Sequence, residues 1–315
     1  MITIKGYGKA VGKTKYLNDD LKQYIDTSDE WITSRTGIKQ RYFSYEENTS
    51  DLATKAAKFA LDTAGITAEE IDIIIVATMT PDKVTPSTAA LVQKNLNLQK
   101  SELMVFDVNV ACSGFVNALD IASKLLRDKQ KALVIGAEVI SKILNFEDRN
   151  TLCLFGDGAG ALVVEKAENK LYQSYFNNLI DKDDVLFANG LSLANQEFKA
   201  NFLEMKGSQV FKFAINACTT SIKEICARGN LELDDIDLII PHQANYRIIK
   251  AIARDLKIPI DKFYLNVENY GNTSAASVPT AIAELMENNK LKDNMKIILV
   301  AFGAGLSMGS ILLEL

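Results

Sequence analysis

The 315-residue chain holds a single histidine, His242, and four cysteines with no CxxC pair among them. One imidazole and scattered thiols cannot supply the usual zinc ligand sets, so no metal site is expected. Only 5 prolines and 17 glycines are present, no Pro-, Gly- or Ser-rich linker occurs, and 48% of residues are apolar, which excludes collagen-like and disordered chains. Long apolar runs are also missing. Residues 73–77 and 297–302 are among the most continuous, far short of the ~20 residues a membrane-crossing helix requires. Residues 1–17 alternate charged and apolar side chains without the apolar block of a secretory signal, so a cytoplasmic location is expected. Nor is positive charge in excess. With 35 basic against 40 acidic side chains and a net charge of −5, the whole molecule has no attraction for a nucleic-acid backbone, although a local basic patch is compatible with these totals.

What is present is hydrophobic periodicity that switches repeatedly between helix and strand. Residues 51–64 place Leu52, Ala56, Phe59 and Ala60 at helical spacing, Gly65 ends that helix, and residues 71–78 form a buried strand. Residues 103–110 predict a strand and residues 114–126 a helix with Phe115, Leu119, Ala122 and Leu126 on its apolar face. Short strands follow at residues 132–136 and 159–164, the second after the Gly156-Asp157-Gly158 turn. This alternation argues for an α/β protein.

The later part of the chain repeats the programme. A long helical stretch at residues 210–227 precedes Asp234-Asp235-Ile236-Asp237-Leu238, which echoes Glu69-Glu70-Ile71-Asp72-Ile73 at an offset of 165 residues, as does Ile298-Leu299 against Leu133-Val134. Internal duplication is therefore expected, with two halves burying sheet faces that neither can leave wet and with ligand sites at their junction. Residues 1–165 make the first half and 208–315 the second. Residues 166–207, a mixture of Asn, Asp, Lys and scattered aromatics, read as an irregular connector or lid.

Four places combine reactive side chains with exposed joints. Cys112 lies between a strand and a helix, where unpaired N–H groups and the helix dipole favour a thiolate, yet the same position suits a small buried apolar residue. Cys153, Cys218 and Cys226 sit inside apolar patterns and read as core. His242 follows the strand ending at Ile240 and Pro241, on the side of an α/β sheet that commonly builds sites, and a structural histidine is equally compatible. Asn272 in Gly271-Asn272-Thr273-Ser274-Ala275-Ala276-Ser277 either points its amide into a cleft or caps a helix. Phe302-Gly303-Ala304-Gly305-Leu306 ends a strand in a turn whose N–H groups suit an oxyanion or simply close a tight turn. The set suggests thiol-based acyl transfer, if the pieces converge.

Ala111-Cys112-Ser113-Gly114-Phe115, Pro241-His242-Gln243-Ala244-Asn245 and the 271–277 segment closely resemble, in the same order, the three catalytic motifs of the β-ketoacyl-[acyl carrier protein] synthase III family. Asp26-Thr27-Ser28-Asp29-Glu30-Trp31-Ile32, Arg35-Thr36-Gly37-Ile38 and Phe155-Gly156-Asp157-Gly158-Ala159-Gly160 look like further family motifs, so the similarity runs nearly end to end. The resemblance implies a thiolase-like fold of two similar halves in five αβαβα layers, assembled as a homodimer. It implies a nucleophilic Cys112 acylated by acyl-coenzyme A, the coenzyme being a substrate and no cofactor bound permanently. The oxyanion would be held by the N–H groups of Cys112 and Ala304. His242 Nε2 and Asn272 Nδ2 would then stabilise the enolate formed when malonyl-acyl carrier protein loses carbon dioxide.

By the same match Trp31 and Arg149 sandwich the adenine, Arg35, Asn245 and Arg247 line the pantetheine and phosphate channel, and Lys212, Arg247 and Arg254 receive the acidic carrier protein. Thr85, Asn150, Asp255 and Met308 depart from common family residues near the acyl pocket, the adenine site and the docking face. Two other readings remain at this level: acyl transfer from Cys112 to an amine or hydroxyl, and a non-catalytic acyl-binding scaffold.

Overall fold

A computed structural model describes residues 1–168, 170–192 and 202–315. The first half opens with β1 (Ile2–Val11), β2 (Thr14–Leu17), α1 (Asp29–Thr36), β3 (Gln40–Phe43) and α2 (Thr49–Ala64). It continues with β4 (Ile73–Ala77), α3 (Thr88–Asn95), β5 (Met104–Val108), α4 (Gly114–Leu125), β6 (Lys131–Glu138), α5 (Arg149–Leu152) and β7 (Gly158–Lys166). The second half holds β8 (Tyr172–Asn178), β9 (Leu186–Ala188), β10 (Leu203–Met205), α6 (Gly207–Gly229) and β11 (Leu238–Pro241). After these come α7 (Tyr246–Leu256), α8 (Val267–Tyr270), α9 (Ser277–Glu287), β12 (Lys296–Gly303) and β13 (Ser307–Glu314).

Two sheets carry the fold, ordered β1-β7-β6-β4-β5 and β8-β13-β12-β11. Their pairing is the same: β4 runs parallel to β6, which is antiparallel to β7, which is antiparallel to β1, and β11, β12, β13 and β8 repeat this set of directions. The starts of β4 and β11 lie 165 residues apart, as do those of β6 and β12, so the duplication legible in sequence is present in three dimensions.

Alternation along the strands makes the layers. Ile73, Ile75, Val134 and Leu162 from the first sheet and Ile240, Ile297, Leu299 and Ile311 from the second face a shared core with α4 and α9 between them. The opposite faces, Ile74, Val76, Leu133 and Ile135 in one sheet and Ile239, Ile298, Val300 and Leu312 in the other, pack under α2 and under α6 with α7. Five layers result: helix, sheet, helix pair, sheet, helix.

Residues 166–207 depart from the sequence reading. β7 runs to Lys166, and β8 is the edge strand of the second sheet, the counterpart of β1, while β9 and β10 pair as a small ribbon. The polar, aromatic-rich Tyr172–Asn178 escapes hydrophobic patterning because an edge strand is only half covered. Residues 169 and 193–201 of that segment lie outside the described residues. The helices and strands expected elsewhere match the observed elements to within a few residues at their ends.

Candidate active site

The duplicated joints between strand and helix meet at the middle of the molecule. In the first half the chain leaves β5, makes a 3₁₀ turn at Ala111–Ser113 and enters α4; in the second a 3₁₀ turn at Ser274–Ala276 leads into α9. Glycines allow the close approach. A Cβ at Gly136 on β6 would lie 2.2 Å from the Ala275 carbonyl oxygen, and one at Gly303, the end of β12, would lie 2.9 Å from the Cys112 nitrogen. Ala111 adopts φ 45° and Ser274 φ 50°, so both turns hold side chains in the left-handed region.

Cys112 is 6% exposed, so the buried alternative left open by its position in the sequence describes its packing. Burial pushes its thiol up to about 12, opposed by a hydrogen bond from Ser274 and reinforced by the nearby Glu138 carboxylate. The helix terminus that was expected to lower the thiol pKa is outweighed by desolvation. Cys153, Cys218 and Cys226 are also free and buried, and the last two belong to the core between the second sheet and its outer helices.

His242 is buried immediately after β11, its N–H donating to the Val300 carbonyl at 2.8 Å and its ring set against Phe302 with centroids 5.2 Å apart. Burial without a charged partner lowers its pKa to about 3, so the imidazole is neutral. Nδ1 lies 2.7 Å from the Ser277 hydroxyl oxygen, which also receives the Gln243 N–H at 3.4 Å. In the tautomer whose Nδ1 accepts the Ser277 proton, Nε2 carries the ring hydrogen.

Asn272 is tied to the first half by both backbone groups: its N–H donates to Leu154 at 2.8 Å and its carbonyl accepts from Gly156 at 3.0 Å. Its Oδ1 accepts the Ser274 N–H at 2.9 Å, which orients the amide and leaves Nδ2 as a free donor direction. Residues 272–277 are thus the hub: Asn272 itself, Ala275 against the Gly114 end of the Cys112 turn, and Ser277 on His242. The three residues singled out in the sequence are gathered around one short segment.

Ala304, half-buried one residue beyond Gly303, lines a cavity of about 720 Å³ together with Ala111, Asn109, Val84, Ile143 and Phe187. Thr85 is exposed beside Val84, and Met308 is buried opposite Phe302 in the β12–β13 pairing. A second cavity, about 390 Å³, is lined by Trp31, Arg35, Asn150, Met205 and Asn245. At its edge the Arg149 guanidinium lies 3.7 Å from the Trp31 ring centroid and that of Arg35 lies 4.8 Å away. These contacts bring Trp31 and Arg149, the two residues expected to sandwich an adenine, together, stacked directly on each other.

Asn245 caps α7 by accepting the Arg247 N–H at 2.8 Å, and its Nδ2 donates to the Arg35 carbonyl at 3.2 Å. Arg247 and Arg254 line a groove of about 620 Å³ with Lys250, Phe211 and Tyr246, whereas Lys212 is exposed next to Phe211 without lining the groove. Asp255 forms an ion pair with Arg254 at 3.3 Å. Lys250 was missed in the sequence, although the 247, 250, 254 spacing puts three cations on one helical face. Ser274, Ser277 and Glu138 were missed as well, because only the folded chain shows which distant partners they reach.

Among solved structures, the 3-oxoacyl-[acyl-carrier-protein] synthase III of Aquifex aeolicus superposes with a TM-score of 0.93 at 41% identity, covering 100% of both chains. The corresponding Thermus thermophilus structure gives a TM-score of 0.92 at 38% identity over 99% of this chain and 98% of that one. These neighbours define the class: a thiolase-like condensing fold. Family profiles described as 3-Oxoacyl-[acyl-carrier-protein (ACP)] synthase III and its C-terminal part match residues 106–178 and 226–315. The β-ketoacyl-[acyl-carrier-protein] synthase III of Clostridium perfringens is 47% identical over 99% of this chain and 98% of its own length. The chain belongs to the β-ketoacyl-[acyl carrier protein] synthase III family and is an acyltransferase.

Proposed function

We propose that the protein condenses an acyl group from acyl-coenzyme A with malonyl-acyl carrier protein, initiating fatty acid synthesis. Cys112 attacks the thioester carbonyl, coenzyme A leaves as its thiol, and the N–H groups of Cys112 and Ala304 hold the oxyanion. The malonyl thioester then loses carbon dioxide, its thioester oxygen taking up the developing charge between His242 Nε2–H and Asn272 Nδ2–H. The resulting carbanion attacks the acyl carbonyl, forming the new C–C bond and releasing Cys112 as a thiolate that is reprotonated. The observation that carries this reading is the hydrogen-bond pattern of the two donors: Ser277 lies against Nδ1 of His242 and the Ser274 N–H occupies Oδ1 of Asn272, so Nε2 and Nδ2 are the atoms left to face a substrate oxygen.

Transfer to an amine or hydroxyl is not favoured, because a neutral imidazole whose pKa lies near 3 is a poor base for such an acceptor. In the proposed scheme decarboxylation supplies the nucleophile and no base is needed for that step. The cavity of about 390 Å³ around Trp31, Arg35 and Asn245 takes the coenzyme, with Arg149 moving to admit the adenine. The α7 groove, with Arg247 and Arg254 and with Lys212 nearby, takes the acidic carrier protein. The cavity of about 720 Å³ beside Ala111 and Ala304 receives the acyl chain.

A homodimer completes the proposal. β5 ends the first sheet with an unpaired edge, its Met104 is 48% exposed, and Val105, Phe106 and Val108 are only partly covered. A second copy of that edge would pair with it. No helix among the described residues is long and apolar enough to cross a membrane, and we assign the enzyme to the cytoplasm. The test separates the half-reactions: His242→Ala and Asn272→Ala variants should still acquire an acyl group on Cys112 and should lose at least ~100-fold in CO₂ release from malonyl-carrier. Normal CO₂ release by both would refute the assignment.

A further inference from the structure

The two N–H groups assigned to the oxyanion come from turns in opposite halves. Cys112 lies in the 3₁₀ turn at Ala111–Ser113, between β5 and α4, and Ala304 lies in the turn at Ala304–Leu306 that joins β12 to β13. The turns abut: a Cβ on Gly303 would lie 2.9 Å from the Cys112 nitrogen and 3.3 Å from the Ser113 nitrogen. Yet no backbone hydrogen bond joins them among the described residues. Two side chains make the polar tie instead, with the hydroxyl oxygens of Ser113 and Ser307 2.7 Å apart. Ser113 adjoins the nucleophile, and Ser307 stands directly across the β12–β13 ladder from Gly303.

One proton assignment makes every contact of this pair a hydrogen bond. Ser113 Oγ lies 2.9 Å from the Val110 carbonyl oxygen, which can only accept, so the Ser113 hydroxyl donates there. Its oxygen is then the acceptor, and Ser307 donates to it. Val110 also accepts the Ser113 N–H at 3.2 Å, so the chain from Ser307 ends on the carbonyl that closes the Cys112 turn. Both serines are buried, at 0% and 3% exposure, and water does not compete for these bonds.

We propose that Ser113 and Ser307 are positioning residues that set the spacing of the Cys112 and Ala304 N–H groups and thereby how strongly the oxyanion is held. Each turn is fixed internally by its own bonds. Asn109 Oδ1 accepts the Ala111 N–H at 3.2 Å, and Leu306 exchanges both backbone bonds with Leu179 at 2.8 and 2.9 Å. The separation of the turns is left to the serine pair and to the packing at Gly303. That separation matters, because a misplacement of about 1 Å at a reacting centre costs on the order of 100-fold in rate.

This inference rests on the acylation of Cys112 and on the two-donor oxyanion site proposed above, and the experiment keeps the levels apart. Ser113→Ala, Ser307→Ala, the double variant and Ser307→Thr are compared with the wild type, with thermal melts as a folding control. Two quantities are read. One is the single-turnover acylation rate at saturating acetyl-coenzyme A, followed by intact mass; the other is the infrared carbonyl band of the Cys112 adduct, isotope-labelled at its acetyl carbonyl. Each alanine variant should acylate about tenfold more slowly with an unchanged half-saturating concentration. Its carbonyl band should lie at higher frequency than in the wild type, since a looser pair of donors polarises the bond less, an effect that a purely structural loss would not produce. The double variant should lose no more than either single one, because the same bond is removed in all three. Ser307→Thr, which keeps the hydroxyl, should recover most of the lost rate. Folded alanine variants with the wild-type rate and band, or losses that multiply in the double variant, overturn the clamp while leaving Cys112 as nucleophile. Either single variant decides the question through its band if the other does not fold. A wild type that never acquires an acyl group on Cys112 overturns the reading beneath it as well.

Discussion

At the scale of single residues, the site is organised by burial more than by charge. Cys112, His242 and Glu138 are all displaced toward their neutral forms by desolvation, the thiol upward, the imidazole downward and the carboxyl upward. For His242 the sign is clear: its native pKa lies near 3, below its unfolded value, so the neutral ring is what the fold stabilises. That contribution is present above about pH 6.5 and is lost as pH falls toward 3, because the unfolded chain takes up a proton that the native site refuses. Decarboxylation should therefore show no acid limb from His242 between pH 8 and pH 5. A limb with an apparent pKa near 6.5 in the pH profile of CO₂ release would contradict a neutral donor. Cys112, His242 and Asn272 were legible in the sequence because each sits where a periodic segment stops, and the family motifs coincide with those joints. Ser274, Ser277 and Glu138 were not, because a hydroxyl or carboxylate acquires its task only from a partner distant along the chain.

At the scale of elements, the two turns after β5 and before α9 are pressed together by glycines on β6 and β12. Gly303 is the critical one. Replacing it with alanine puts a methyl 2.9 Å from the Cys112 nitrogen, which should destabilise the protein by about 1–3 kcal/mol and slow acylation, as read by thermal melts and single-turnover rates. A Gly303→Ala protein with the stability and acylation rate of the wild type would show that the turn has room to move. On α7, Arg254→Glu should raise KM for the malonyl-carrier substrate about tenfold at low salt and flatten the rise of KM with ionic strength, because a rim charge acts mainly on encounter. An unchanged salt dependence would remove α7 from the docking face. The strongly periodic helices and the central strands could be read directly from hydrophobic spacing. β8 could not, since Tyr172–Asn178 lies at a sheet edge where one face and one rim stay polar.

At the scale of the whole molecule, duplication explains why a nucleophile and its companions arise from distant parts of one chain. Each half ends its central strands at the same joint, and packing the halves through α4 and α9 brings both joints to one point. The free edge of β5 extends the same logic to a second copy. Phe106→Asp should convert a sedimenting dimer to a monomer, and a monomeric wild type at micromolar concentration would exclude pairing through that edge. The central claim is that one sulfur carries the acyl group from coenzyme A to a decarboxylated malonyl unit. Intact-mass analysis of the protein after exposure to a mixed acyl-coenzyme A pool, followed by a chase with malonyl-acyl carrier protein, tests it most directly. The account predicts a thioester adduct localised to Cys112 that the chase discharges as β-ketoacyl-carrier with one CO₂ released per acyl group, and an adduct on another residue, or one discharged without CO₂, would contradict it.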